Sequence, residues 1–364
     1  MIPLPSSFDF FDVINNFSIE DKILKIETIG EGHINDTFFL KTNTNRNYLL
    51  QRINHLIFKE VEALMDNISR VTSHINQSNL SNSAKAILRA PTVIFTKDNK
   101  SFFLDIFGNY WRCYTYIPHE PIKRITPAIA MEGGKAIGMF QTILSTLPGN
   151  QLYETIPDFH NLKMRLKALY KAVEENNSGR LKQVEKEVDF IFAREDELLR
   201  IHKLESNGLI PIRVTHNDTK FNNILFDKGR SAVAIVDLDT VMNGSVLYDF
   251  GDAIRTLCNT AVEDESDLTK VNFNKRLFEA FVNGYLSITS VTLKHVEVDL
   301  LAFSCKLLTY IMAVRFLTDF LNGDVYFKVK SQIHNYQRAA NQLKLLECIE
   351  KDFKWMEKVV RDKA

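Results

Sequence analysis

At 364 residues, with 45% hydrophobic and 25% charged residues, the chain has an ordinary globular composition and room for two or three domains, or for two lobes of one enzyme. Lys plus Arg equals Asp plus Glu at 45 each, so no global basic field favours a nucleic-acid partner. Cys113, Cys258, Cys305 and Cys348 are widely spaced with no CxxC pair, and read as reduced core thiols rather than a zinc site or disulfide framework.

The N-terminal stretch MIPLPSSFDFFDVINNF has neither a basic start nor a continuous apolar run, so no secretory signal is expected. The strands ILKIETIG and NDTFFLKT follow around a glycine loop, then NYLLQRIN after the turn NTNR, which predicts a hairpin. Val61, Leu64, Met65, Ile68 and Val71 have helical spacing, and PTVIFT and YWRCYTYI read as two further strands. Pro118 and Pro121 end this pattern, which places a hinge between a lobe at 1–117 and a larger one at 118–364. Helices are predicted over AIAMEGGKAIGMFQTIL, NLKMRLKALYKAVEE and, as one long element, GRLKQVEKEVDFIFAREDELLRIHKL. Two short strands, NILFD and AVAIVDLD, precede a mainly helical remainder. Within it LLAFSCKLLTYIMAVRFLTDFL is interrupted by Lys306, Arg315 and Asp319, and reads as a buried helix, not a membrane span. A cytoplasmic location, with neither membrane nor obligate protein partner, is the expectation.

The chemistry concentrates in VTHNDTKFNNILFD, where His216, Asp218, Lys220 and Asn223 stand at relative positions 0, 2, 4 and 7. Phosphoryl transfer to a hydroxyl needs a carboxylate to take the proton, a cation to balance the moving charge and an oxygen ligand for Mg2+. Asp218, Lys220 and Asn223 supply these in the order found in protein-kinase catalytic loops. The apolar run AIVDLDTV carries Asp237, 19 positions after Asp218, as a second metal ligand. Asp239 shares its face if the strand continues through both. Between two strands, IGEGHINDTFF carries Gly30, Gly32 and Asn35; a strand follows rather than a helix, which suits a loop folded over ATP and not a dinucleotide fold. Read blandly, these stretches are a polar helix cap, a strand-end turn and a hairpin turn.

Lobes, motif order and spacing resemble the aminoglycoside phosphotransferase and choline kinase superfamily over nearly the whole chain, which implies an α+β, bilobal protein-kinase-like fold. RVTHNDTKFNNILFD, VDLDTVMNGSVLYDFGDAIR and VRFLTDFLNGDVYFK look most like the N-acetylhexosamine 1-kinase family. The resemblance implies ATP and Mg2+ as cofactors and a small sugar as acceptor, phosphorylated at its anomeric hydroxyl. It also implies Asp218 as base, Asn223 and Asp237 as metal ligands, the Gly30–Asn35 loop over the phosphates, and Asp249 bracing a catalytic loop that His216 supports.

One departure stands out. The third strand reads YLLQRIN and lacks the lysine that usually holds the nucleotide phosphates, leaving Arg52 as the expected substitute and Gln51 as the other choice. The acid partner would be Glu60 or Glu62. For the acceptor, Arg315 and Asp319 are candidates, with Tyr326 and Phe327 as apolar walls and His33 and Asp36 reaching in from the glycine loop; an i,i+4 ion pair is the plain reading of Arg315 and Asp319. EDESD, residues 263–267, reads as a solvated loop. Two other functions compete: a kinase of choline, homoserine or an aminoglycoside, and a kinase-shaped binding module without turnover.

Overall fold

The computed structural model describes residues 8–29, 34–81, 88–147 and 152–364. A short helix α1 (Phe10–Asn15), capped by the Asp9 carboxylate, precedes an antiparallel sheet of β1 (Ile23–Thr28), β2 (Asp36–Thr42), β3 (Tyr48–Ile53), β4 (Val93–Ile94), β5 (Phe103–Leu104) and β6 (Tyr110–Thr115). The strand order is β1-β2-β3-β6-β4, with β5 on β6, and helix α2 (Val61–Ser81) follows β3. Side chains alternate along a strand, so the sheet has two unlike faces. Phe38, Leu40, Leu50, Trp111 and Cys113 point to one, where Phe10 and Val13 of α1 cover them. Ile53 and Tyr114 belong to the main core on the other, and Gln51 and Arg112, directly opposed in register, lie on that same face.

The rest is mainly helical: α3 (Pro127–Leu144), α4 (Leu162–Glu175), α5 (Glu185–Phe192), α6 (Glu195–Leu198), α7 (Arg200–Ser206), β7 (Arg213–Thr215), β8 (Ile224–Phe226), β9 (Ala232–Ile235), β10 (Met242–Gly244), α8 (Val246–Cys258), α9 (Lys275–Thr289), α10 (His295–Leu321) and α11 (His334–Lys363). This is the α+β, kinase-like architecture. Strands β7 and β10 pair, as do β8 and β9, and the two hairpin-like pairs carry the polar loops. After Thr115 the chain crosses over, and the Glu120 amide bonds to the Phe226 carbonyl at 2.8 Å, fastening the crossover to β8.

Two expectations about elements are corrected. The single helix expected across 179–204 is a 3-10 turn at Leu181–Gln183 followed by α5, α6 and α7, because the chain bends to bury Val188, Ile191, Leu198 and Ile201 in one core. The strand AVAIVDLD stops at Ile235, since Asp237 takes a left-handed conformation, φ 65° and ψ 54°. Helices α3 and α9 approach through glycine: a Cβ on Gly134 would collide with the Phe281 carbonyl, and one on Gly284 with the Met131 carbonyl. Helix α10 is long and apolar enough to cross a membrane by composition, yet it is almost wholly buried among its neighbours.

Candidate active site

The loop between β7 and β8 is held from beneath by Asp249, in the first turn of α8 and fully buried. Its carboxylate accepts the Asn217 amide at 2.7 Å, the His216 amide at 3.1 Å and the Gln141 side-chain amide at 3.0 Å. Tyr285 of α9 donates to the Gln141 Oε1 at 2.6 Å, so three helices fix this one carboxylate. Asn217 sits at φ 64°, a left-handed conformation that asparagine tolerates, and turns the chain so that Asp218 leaves the loop toward the cleft. His216 ties the loop to the next strand: its Nε2 bonds to the Val236 carbonyl at 2.9 Å and its Nδ1 accepts the Asp218 amide at 3.2 Å.

The Asp218 carboxylate is clasped by the Lys220 ammonium, at 2.9 Å from Oδ1 and 3.1 Å from Oδ2. Burial pushes this carboxyl up, but Lys220, with His216 and Arg255 behind it, outweighs that and holds it below its usual value. Asn223 spends its Nδ2 on the Asp218 carbonyl at 2.9 Å, which leaves its Oδ1 as a neutral oxygen ligand. Asp237 opens onto the cleft, and its carboxylate makes no hydrogen bond or ion pair among the described residues. Loss of hydration in the cleft, then the charges of Asp239 and Asp218, push it up to about 7. A carboxylate ringed by negative charge beside a free amide oxygen fits a divalent cation. Among the described residues no three His, Cys, Asp or Glu side chains converge to hold a metal by themselves. Magnesium tolerates so few protein ligands, because it keeps waters and binds substrate phosphates.

Arg52 is not the cleft cation. It lies on the α1 face of the sheet, where Nε and Nη2 bind Asp36 Oδ2 at 2.8 and 2.5 Å, Nη1 binds Asn109 at 3.1 Å and the guanidinium covers the Phe8 ring. Strand alternation gives the opposite face to Gln51. The cation on that face is Arg112 of β6, which the sequence reading missed. Its fork meets Asp239 with two bonds of 2.7 Å, both side chains buried, and its Nε donates to Gln51 Oε1 at 3.0 Å. Gln51 in turn donates to Thr37 at 2.9 Å, and Asn35 reaches Asp239 at 3.4 Å while accepting the Asn54 amide at 2.9 Å. Asn35 is therefore engaged in this network, and Asp239 faces Arg112 rather than sharing a metal face with Asp237. Glu60 and Glu62 are exposed and form no ion pair with a strand cation among the described residues. Gly30, Gly32 and His33 lie outside the described residues.

Arg315 and Asp319 do not pair. Asp319 is a loop organiser: Oδ1 accepts the Val325 and Tyr326 amides and Oδ2 accepts the Phe327 amide and Asn335, which leaves nothing for an acceptor. Arg315 stands over the rings of Phe159, Tyr326 and Phe327, with centroids at 4.8, 5.7 and 5.5 Å. Arg165 donates to the Phe159 carbonyl at 3.2 and 3.0 Å. Neither arginine has an acidic partner within ion-pair distance among the described residues. Burial first, then the charge of Arg315, hold Arg165 down to about 10. The adjacent His160, 2.7 Å from the Asn217 carbonyl, is pushed down to about 3 by burial, and its Nδ1 has no partner among the described residues. The 263–267 stretch is not simply solvated either: Glu263 lies between Arg255 and Arg338, and Asp264 binds Lys330 and His334.

A sequence model of the phosphotransferase enzyme family matches residues 25–286. The chain belongs to this family. Solved structures share the fold of this phosphotransferase across almost its full length at low identity. An aminoglycoside phosphotransferase from Alicyclobacillus acidocaldarius is 11% identical with a TM-score of 0.60, covering 98% of each chain. An amicoumacin kinase in complex with AMP-PNP, Ca2+ and Ami is 10% identical with a TM-score of 0.61, covering 93% of this chain and 94% of that one. A spectinomycin phosphotransferase in complex with ADP and spectinomycin is 13% identical with a TM-score of 0.55, covering 90% and 94%. Arg112 had a signal in the phosphotransferase sequence: a charge inside the apolar run YWRCYTYI requires a buried partner. Arg165 and His160 had none, since only the folded chain brings them to Arg315.

Proposed function

We propose that this phosphotransferase uses ATP and Mg2+ to phosphorylate the anomeric hydroxyl of an N-acetylhexosamine. Residues 1–117 serve as the nucleotide lobe and residues 118–364 carry the catalytic loop and the acceptor pocket. Asp218 orients the acceptor hydroxyl and takes its proton, Lys220 tempers the carboxylate and balances charge, and Asn223 and Asp237 hold the metal. When bound, Mg2+ neutralises the phosphate oxygens. The AMP-PNP, ADP and Ca2+ of the two complexed relatives support the nucleotide and cation assignment.

The acceptor class rests on one observation: Arg165 and Arg315 stand together against Phe159, without an acidic partner among the described residues, one bond removed from the catalytic loop through His160. Unpaired guanidiniums repel an amine-bearing acceptor, which would call for carboxylates or an open aromatic cage. They favour an oxygen-rich acceptor without positive charge, and the Tyr326 and Phe327 rings offer apolar surface to a sugar face. The test is turnover of ATP with N-acetylglucosamine, N-acetylgalactosamine, choline, homoserine and an aminoglycoside, with NMR of the product. Phosphate at C1 of an N-acetylhexosamine is the expected result. Turnover confined to the cationic alcohols would transfer the assignment to the choline and aminoglycoside type, and phosphate at C6 would overturn the regiochemistry.

A further inference from the structure

The buried Arg112–Asp239 pair has no counterpart in the roles assigned above. Protein kinases align the cleft through a lysine on the third strand and a glutamate on the following helix. Here the strand position facing the cleft is Gln51, and the helix acids Glu60 and Glu62 face solvent. A different pair occupies the interior. Arg112 comes from the sheet, Asp239 from the loop two residues past Asp237, and the two bonds of 2.7 Å join elements from the two halves of the chain.

The geometry around Asp239 shows what the pair controls. Asp237 has φ 65°, a left-handed conformation that residues with a Cβ adopt uncommonly, and bonds on both sides of it hold the turn. On its N-terminal side, Val236 donates to the Asn223 carbonyl at 2.9 Å and accepts His216. On its C-terminal side, Thr155 donates to the Asp239 carbonyl at 2.8 Å and the Arg112 fork holds the Asp239 carboxylate. Asn35, at the end of the glycine loop, adds a contact to that same carboxylate. We infer that Arg112 is a positioning residue: through Asp239 it locks the turn that aims Asp237 at the metal, and so does the aligning work of the missing strand lysine and helix glutamate. Arg112 itself is buried and touches no reacting atom. The inference rests on the reading of Asn223 and Asp237 as the metal site.

The experiment measures ADP binding to the whole protein by calorimetry across a Mg2+ titration, with and without metal, alongside Tm. Outer partners of metal ligands typically contribute ~10–100-fold in metal affinity. Arg112→Met and Asp239→Asn should each raise the Mg2+ midpoint by about that factor while metal-free ADP affinity stays near wild type. Either change leaves a buried charge unpaired and lowers Tm, so the deciding variant is Arg112→Met combined with Asp239→Leu, which removes both charges. Recovered Tm with a midpoint still raised supports the inference. Recovery of both, or an unshifted midpoint in the single variants, makes the pair purely structural and overturns it. Should Arg112→Met fail to fold, Arg112→Lys keeps the charge without the fork and is expected to raise the midpoint, and a wild-type midpoint there overturns the inference as well. Wild-type protein that binds ADP with no Mg2+ dependence, or an unchanged midpoint in Asp237→Asn, instead defeats the metal-site reading beneath it.

Discussion

Asp218 meets the cleft with both carboxylate oxygens against the Lys220 ammonium, so it stays ionised at neutral pH and is oriented by one neighbour. Asp218→Asn keeps that shape and cannot take a proton; loss of a general base costs ~10²–10⁴-fold in turnover. ADP affinity should hardly change, and a variant with wild-type kcat would remove Asp218 from the role of base. On the proposed role of Arg315 in holding the acceptor in the ground state, Arg315→Ala should raise KM for the acceptor with KM for ATP little changed. A steady-state comparison that finds both KM values unmoved would detach Arg315 from the acceptor. At this scale the sequence was legible where chemistry is local. Asp218, Lys220 and Asn223 share one loop, and their spacing carries them to one place. Arg52 and Arg112 show the opposite case. Which of Gln51 and Arg52 faces the cleft depends on which face of β3 is covered by α1, and α1 was not recognised as a helix. Arg165 was hidden and Asp319 misassigned to the acceptor for a related reason, since backbone groups brought near by folding are among their partners.

Elements enter the site through packing. Gln141 on α3 reaches Asp249, and Tyr285 on α9 reaches Gln141, because these helices cross closely at Gly134 and Gly284. Gly284→Ala pushes a methyl group into the Met131 carbonyl, and overpacking of this kind costs ~1–3 kcal/mol. A lower Tm with reduced kcat is the expected pair of effects, and an unchanged Tm would show that the crossing can relax. The crossing was not readable in advance: the sequence predicts α3 as a helix and places α9 only within a mainly helical remainder, and neither reading tells which glycine meets which carbonyl. The same limit explains the broken segment at 179–204, whose helical pattern is real while its bends follow the core it wraps.

Across the whole molecule, Glu263 joins α8 to α11 through Arg255 at 2.9 Å and Arg338 at 2.6 Å. Burial pushes its carboxyl up, but the two guanidiniums prevail and bring it down to about 2 from an ordinary 4.5. The folded state therefore gains fully from this carboxylate above pH 4.5 and loses the gain as pH falls toward 2. Glu263→Gln should cost about 2 kcal/mol near neutrality, less than the ~3–5 kcal/mol of a fully buried pair because solvent reaches part of the group. The gap to wild type should close on acidification through that window, as read from denaturant midpoints at several pH values. A gap that is constant with pH would mean the network is held by shape and not charge. That Glu263 and Asp264 of EDESD tie helices together is invisible in composition, which sees five polar letters and no guanidinium beside them.

The burial of α10 has a consequence for biosynthesis. A mostly apolar rod of 27 residues is shielded by α4, α8 and α11, and α11 leaves the ribosome after it. While the 30-residue helix α11 is still being made, α10 lacks water-excluding company on one flank and displays the kind of surface that chaperones hold and bilayers attract. Its charged residues Lys306, which finds Glu197 in the finished protein, Arg315 and Asp319 discourage insertion during that interval. The maturation of this lobe is thus tied to the completion of α11, and a chain interrupted within α11 should emerge as a chaperone-bound or aggregated species, not as a weakened enzyme.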